Sequence, residues 1–434
     1  MVVVFELSVD VVAFQMAYKD VHPPRIPWRN ALADSDLTLD RVRDARFCSP
    51  LLEEGYPPAV EEYETGTVDQ KPLLVFLPGF DGTFLTIFLQ LPELSTSFDV
   101  RCLTIGMKDR STYNELKVLA FDYISKQVQQ STALQPPGEP VNKFFPNLML
   151  TRPKPMSRPV YIVGESFGGI LAADVALTLL EDDRLRDSMK GLTLINAATC
   201  YDRSKLAAMG PSVTKLPPLL YPFGLIRLLP LFTDEYSVQS LQLMLQAKAL
   251  PSVIDSEQRE AYMGRMAFSI GQKLQFMSQD TLQWRLTKWL ETGCAAMESR
   301  LERFAKHKSL RTLIIAGEKD LCLPSIGEAE RLSSLFTNPH IHVVEGAGHA
   351  STCGNRVDLA AVLRKRYPEI PGRTAMKAVA AEGKGPNLGM TPRYDAPNSG
   401  MGLSPLKYWI RENFRRMKPA PTNARSSTST SAPY

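Results

Sequence analysis

The chain has 434 residues, 44% hydrophobic and 22% charged, with a net charge of +4, which suits one large catalytic domain with attachments and an ordinary globular composition. Its six cysteines (Cys48, Cys102, Cys200, Cys294, Cys322, Cys353) are scattered without a C-x-x-C pair, an argument against a zinc site or a disulfide framework and in favour of a reducing compartment. No uncharged apolar run approaches the ~18 residues of a membrane-spanning helix, and no cofactor or metal motif is present.

The charge is uneven. Residues 371–434 hold ten Lys or Arg against three acids, a net +7, so the other 370 residues sum to −3. The basic character belongs to the tail, and no nucleic-acid partner is expected for the main body.

Residues 1–70 mix charged and proline-rich stretches and read as an irregular N-terminal extension. Glu6 and Asp10 precede the first base, Lys19, so neither a secretory signal nor a transit peptide is legible. From residue 71 to about 370 the pattern becomes strand, turn and helix in repeated units. Short apolar runs stand at Leu73–Leu77, Val100–Ile105, Val160–Val163, Leu192–Ile195, Thr312–Ala316 and His342–Val344, with amphipathic stretches at Ile170–Leu180 and Ile326–Leu335. Fully apolar strands alternating with helices predict a mostly parallel sheet with helices on both faces. The alternation lapses over about 200–305, which predicts an inserted helical cap. That stretch contains the apolar Leu216–Phe232, whose four prolines oppose a continuous helix, and a helical segment near Asp280–His307. Residues 371–434 read as a mostly disordered basic tail with one amphipathic helix at Pro405–Met417, where Leu406, Trp409, Ile410 and Phe414 recur at helical spacing among Lys407, Arg411, Arg415 and Arg416.

The strongest local signal is Val160–Ile170, which contains G-x-S-x-G as Gly164, Glu165, Ser166, Phe167 and Gly168. An apolar strand turning sharply into a helix thrusts the serine hydroxyl out of the sheet, and the small residues on either side permit the tight turn. A nucleophile at Ser166 requires an acid and then a histidine, each just past a later strand. Asp320 follows strand Thr312–Ala316, with Glu318 as the competing carboxylate. Of five histidines (His22, His307, His340, His342, His349), only His349 stands in a glycine-rich loop after a strand. The reading is Ser166 as nucleophile, His349 as base and Asp320 as the acid that orients it. The glycine-rich turn Pro78–Thr83 after the first strand is where a second oxyanion donor is expected. The backbone N–H groups of Phe80, with Asp81 close behind, and of Phe167 are the candidates.

Together these pieces give the α/β-hydrolase fold, and several of them resemble a narrower group: the plant and algal phytyl ester synthase and diacylglycerol acyltransferase-like proteins. The matching segments are Leu77–Thr83, Gly164–Gly169, Asp280–Leu286, Gly317–Ser325 and Gly348-His349. The resemblance spans roughly 70–367 and implies acyl transfer on lipid esters, in a plastid. Members of that group join this half to a C-terminal acyltransferase half with an H-x-x-x-x-D motif; no histidine follows His349 here, although Leu403–Met417 looks like the approach to such a half.

The expected chemistry is serine-dependent acyl hydrolysis or acyl transfer on a lipid or acyl (thio)ester, with phytyl ester or triacylglycerol synthesis as specific forms. Alternatives are a general carboxylesterase or peptidase of the same fold, and a non-catalytic binding protein. Leu216–Phe232 is expected either to line an acyl channel or touch lipid, or simply to pack on the domain. The tail helix is expected either on a membrane or lipid-droplet surface or docked on the protein.

Overall fold

The computed structural model describes residues 41–50, 71–133, 157–234, 237–238, 277–353 and 356–370. The expectations for 1–40, for 51–70 and for the tail with its amphipathic helix lie outside the described residues. Among the described residues seven strands form one sheet: β1 Arg46–Cys48, β2 Leu73–Leu77, β3 Asp99–Thr104, β4 Val160–Glu165, β5 Met189–Ile195, β6 Arg311–Gly317 and β7 Pro339–Val344. Their spatial order is β1-β3-β2-β4-β5-β6-β7. Only β1 runs antiparallel, pairing Phe47 with Leu103; the remaining neighbours are parallel.

The central strands are apolar on both sides because both sides are covered. In β2 every residue is buried. Leu73, Val75 and Leu77 face the core shared with helices α2 (Tyr113–Ala133) and α3 (Phe167–Glu181). Leu74 and Phe76 face the core shared with α1 (Leu91–Ser97) and the last described helix, Leu359–Arg366. Alternation of side chains along a strand sends successive residues to the two cores. Helix α2 begins on a reciprocal cap in which the Thr112 N–H donates to Glu115 Oε2 at 2.7 Å and the Glu115 N–H to Thr112 Oγ1 at 3.3 Å.

Strand β2 sits between β3, which follows it, and β4, which follows β3, so the chain reverses its direction of travel across the sheet at β2 and β4. A crevice opens at such a reversal, beyond the C-terminal ends of the two strands. Leu77 pairs with Gly164 at that edge, bringing the loop after β2 beside the turn after β4.

Between β5 and β6 lie α4 (Lys205–Val213), α5 (Tyr221–Phe232), α6 (Gln279–Trp284) and α7 (Thr292–Glu298). Helices α6 and α7 are joined by a π-helical turn over Arg285–Glu291. The prolines do not prevent a helix at Tyr221–Phe232. Pro222 falls in the first turn, where its missing N–H has no partner to lose, and Pro230 stands two residues from the end. The helix buries Leu228 and Leu231 and leaves Phe223 and Leu229 exposed, with Leu219 and Leu220 exposed just before it. Among the described residues no helix is long and apolar enough to cross a membrane.

Candidate active site

The turn from β4 into α3 puts Ser166 at φ 52°, ψ −116°, a strained backbone for any residue with a side chain. Three hydrogen bonds hold it there. The Ser166 N–H donates to the Ile195 carbonyl, and the Gly169 and Ala198 N–H groups both donate to the Ser166 carbonyl, each at 2.9 Å. The flanking glycines are required by close approach. A Cβ on Gly164 would lie 2.2 Å from the Gly168 carbonyl oxygen, and one on Gly168 would lie 2.0 Å from that of Leu77.

The loops after β6 and β7 bring the other two residues to the same point. His349 Nε2 is 2.9 Å from Ser166 Oγ, and His349 Nδ1 is 2.8 Å from Asp320 Oδ2. A carboxylate can only accept, so Nδ1 carries the proton and Nε2 is left to accept from the serine hydroxyl. Asp320 is itself fixed by four donors. Cys322 N–H (2.8 Å) and Leu323 N–H (3.1 Å) reach Oδ1, while the Ser325 hydroxyl joins His349 on Oδ2. Burial pushes the His349 pKa down, but the charge and hydrogen bond of Asp320 outweigh it and hold the imidazole above the ordinary histidine value. Glu318, the competing acid, instead accepts from the Gly346 N–H at 2.7 Å.

Two positioning groups carry no motif and escape sequence reasoning. Asn196, at the end of β5, sits at φ 42°. Its Oδ1 accepts from the Gly317 N–H (2.8 Å), and its Nδ2 donates to the His349 carbonyl (2.5 Å) and to Ser351 Oγ (3.1 Å). It ties the ends of β5 and β6 to the histidine loop. Asp234, just past α5, accepts from the Gly348 N–H at 2.6 Å and so holds that loop from the other side. An asparagine directly after an apolar strand, where a left-handed residue is needed, was the signal available for the first; the second had none.

The turn after β2 closes with the Gly82 N–H donating to the Gly79 carbonyl at 3.0 Å, so that Phe80 and Asp81 occupy its two central positions. It lies against the serine: a Cβ on Gly79 would be in van der Waals contact with Ser166 Cβ, at 3.5 Å. Phe167 begins α3, so the two candidate amides stand on adjacent walls of the crevice. Burial raises the Asp81 carboxyl above the ordinary range, with the Thr83 hydroxyl and the Arg285 charge pulling against it. Burial also lifts Glu165, between Gly164 and Ser166, to a pKa of about 7 despite hydrogen bonds from Thr86 and Thr352.

Aromatic rings border the site. Phe80 stacks on Phe232 at 6.2 Å between centroids, and Phe232 meets the His349 ring edge-on at 6.0 Å. Phe232 is the last residue of α5, so the apolar helix reaches the histidine directly. Among the described residues no group of three or more His, Cys, Asp or Glu is arranged to hold a metal ion.

Residues 74–362 match the model of the Alpha/beta hydrolase family. Two relatives from Arabidopsis thaliana are similar to the chain: Phytyl ester synthase 1, chloroplastic, at 29% identity over 301 residues, and Phytyl ester synthase 2, chloroplastic, at 26% over 307. Each match covers 68% of this chain and 37% of the relative, so the chain spans well under half the length of either. Among solved structures, MenH from S. aureus overlaps it with a TM-score of 0.44 at 13% identity, over 75% of this chain and 98% of that one.

Proposed function

Because the chain belongs to the alpha/beta hydrolase family, we propose that it is a serine-dependent acyl hydrolase or acyltransferase that works on lipid esters or thioesters through an acyl-enzyme at Ser166. The observation that carries this is the unbroken hydrogen-bonded line from Ser166 Oγ through the His349 ring to Asp320.

The steps follow from that line. Ser166 Oγ attacks the acyl carbonyl carbon while His349 Nε2 takes the hydroxyl proton, and Asp320 holds Nδ1–H and stabilises the imidazolium. The carbonyl oxygen becomes an oxyanion and accepts from the backbone N–H groups of Phe80 and Phe167. Collapse of the tetrahedral adduct breaks the bond to the alcohol or thiol, which leaves with the proton from Nε2. Water, or an acceptor alcohol, then attacks the acyl-enzyme, gives its proton to Nε2 and restores Ser166.

Two features support a lipid acyl group as substrate. The wall beside His349 is made of the stacked rings of Phe80 and Phe232, and the helix ending in Phe232 exposes Phe223 and Leu229, with Leu219 and Leu220 before it. An apolar surface that ends at the reacting histidine suits a substrate delivered from a membrane or lipid droplet. The similarity to chloroplastic phytyl ester synthases favours a plastid location and an isoprenoid alcohol as acceptor.

The test is acyl release from galactolipid, diacylglycerol and acyl thioester, with and without phytol, by wild type and Ser166→Ala. Ser166-dependent release, shifted toward the phytyl ester when phytol is supplied, is the expected result. Preference for short water-soluble esters regardless of phytol would favour the general carboxylesterase reading. Absence of Ser166-dependent labelling by a fluorophosphonate probe would leave a non-catalytic binding protein.

A further inference from the structure

Arg285 is fully buried, yet it spends its guanidinium on backbone carbonyls. Nη1 donates to Phe80 O at 2.7 Å, and Nη2 to Gly106 O at 2.9 Å and to Ile105 O at 3.5 Å. Its Nε is buried without a hydrogen bond. Burial outweighs the support of the nearby Asp81 and Asp109 charges, and a buried charge whose hydrogen bonds go to neutral carbonyls is a costly way to fill a core, where a leucine or methionine would pack at less expense. The residue therefore calls for a reason other than stability.

Two observations supply one. The Phe80 carbonyl belongs to the central peptide of the turn that begins at Gly79. In such turns that peptide can rotate by about half a turn, exchanging the directions of its C=O and N–H, with little movement of the ends. A guanidinium gripping the carbonyl fixes which way this Phe80–Asp81 peptide faces, and so anchors the turn whose preceding peptide carries the Phe80 N–H. One helical step on, Trp289 lies under Arg285, with Cζ 4.4 Å from the ring centroid. The same indole stacks on Phe167 at 4.8 Å and 19°. The indole is itself anchored, its Nε1–H donating to Ser111 O at 2.8 Å. Guanidinium, indole and phenyl thus form one buried run of contacts that reaches from the Phe80 carbonyl to Phe167. Both Arg285 and Trp289 lie in the π-helical turn Arg285–Glu291, a local widening of the kind that recurs at functional sites.

We propose that this π-turn is the brace of the oxyanion hole, with Arg285 and Trp289 acting as positioning residues that hold the Phe80–Asp81 turn and the helix start at Phe167, and with them the backbone donors they carry, in one fixed relation. The inference rests on the reading of Ser166 as nucleophile. It adds that the segment between β5 and β6 does more than shape a substrate pocket, because part of the oxyanion hole is held from it.

The test uses Arg285→Lys, whose ammonium lacks the fork that spans two carbonyls, and Trp289→Phe, which keeps an aromatic ring but loses the bond to Ser111. Turnover of a p-nitrophenyl acyl ester is normalised to sites titrated with fluorophosphonate. Binding of a trifluoromethyl ketone, which forms an oxyanion on Ser166, is compared with that of the chain-matched ether, which forms none. The brace predicts kcat per titrated site down by about 10- to 100-fold, KM within about threefold, and ketone affinity falling in proportion while ether affinity holds. A role in stability alone would lower the melting temperature and the number of titratable sites and leave kcat per site and the ketone-to-ether ratio unchanged. That result in both variants overturns the brace; if Arg285→Lys does not fold, Trp289→Phe decides alone. Turnover that persists in Ser166→Ala overturns the nucleophile reading itself, and the two failures are thereby distinguished.

Discussion

Asp320→Asn is the substitution that most directly interrogates the hydrogen-bonded line. The carboxylate accepts from two backbone N–H groups on Oδ1 and from Ser325 and His349 on Oδ2. Backbone donors cannot reverse their polarity, so the asparagine carbonyl must take the Oδ1 position and its NH2 the Oδ2 position. The Ser325 hydroxyl can rotate to accept from that NH2; the His349 ring can only respond by changing tautomer. Nδ1 then becomes the acceptor and Nε2 carries a proton toward Ser166, where it cannot remove the serine's. The expected loss in kcat is about 10⁴-fold, the scale seen when the same acid is neutralised in serine proteases, or ~5.4 kcal/mol of transition-state stabilisation. Burial would then be opposed only by the lesser charges of Glu165 and Asp81, so the acidic limb of the kcat/KM profile, set by His349 and held above the ordinary histidine value in the wild type, moves to lower pH in the variant. The assay is a pH–rate series from 4.5 to 9 on an activated ester, with melting curves to establish folding. A folded Asp320→Asn enzyme that keeps a tenth or more of wild-type kcat, or whose acidic limb does not move, would falsify the tautomer argument.

Three further outcomes are expected. Glu165 has a folded-state pKa of about 7 against an ordinary 4.5, so the folded protein holds this proton more tightly than the unfolded chain does. The resulting stability is complete below about pH 4.5 and lost as pH rises through about 7, on the order of 3 kcal/mol; urea unfolding at pH 5, 6, 7 and 8 should show Glu165→Gln gaining on wild type as pH rises, and parallel curves would refute the assignment. Asn196→Ala strips partners from the Gly317 N–H, the His349 carbonyl and the Ser351 hydroxyl and leaves alanine at positive φ, for a loss of about 3–5 kcal/mol in chemical denaturation together with reduced kcat. Gly327, near the start of the helix Ser325–Leu335, has open space where a Cβ would go, so Gly327→Ala should gain about 1 kcal/mol and raise Tm by about 2–4 °C at unchanged activity.

The apolar runs were legible because a parallel sheet covered on both faces needs strands apolar throughout, and all six appear in the structure, one unchanged, one shifted by a residue and four a little longer than their apolar cores. Polar or small residues at the ends, such as Glu165, Arg311 and Gly317, extend the pairing without adding an apolar signal. Strand β1 went unread because three residues, Arg46-Phe-Cys48, carry too little period to register; only pairing with β3 makes them a strand. Helix Tyr113–Ala133 announces itself at Thr112-x-x-Glu115 but has a weakly amphipathic body, and it too was missed. Prolines in Leu216–Phe232 suggested interruption, yet of the two within the helix Pro222 sits in the first turn where no bond is lost, and Pro230, two residues from the end, gives up only one. The convergence of Ser166, Asp320 and His349 could be anticipated from chain order alone, because the strand ends of this fold lie along one edge. Arg285 could not. In the sequence it is one cation beside Lys288, and only the folded chain distinguishes a buried fork on three carbonyls from a solvated side chain.

The backbone at Ser166 carries a consequence for anyone seeking a hardier form of this protein. At φ 52° the serine is held in a conformation that glycine adopts freely, at a penalty of about 1–3 kcal/mol. Glycine at 166 is expected to melt above alanine at the same position, and a selection for heat resistance alone will drift toward that residue and discard the hydroxyl. Endurance and reactivity pull in opposite directions at this turn, so a screen meant to improve both must score catalysis in every round.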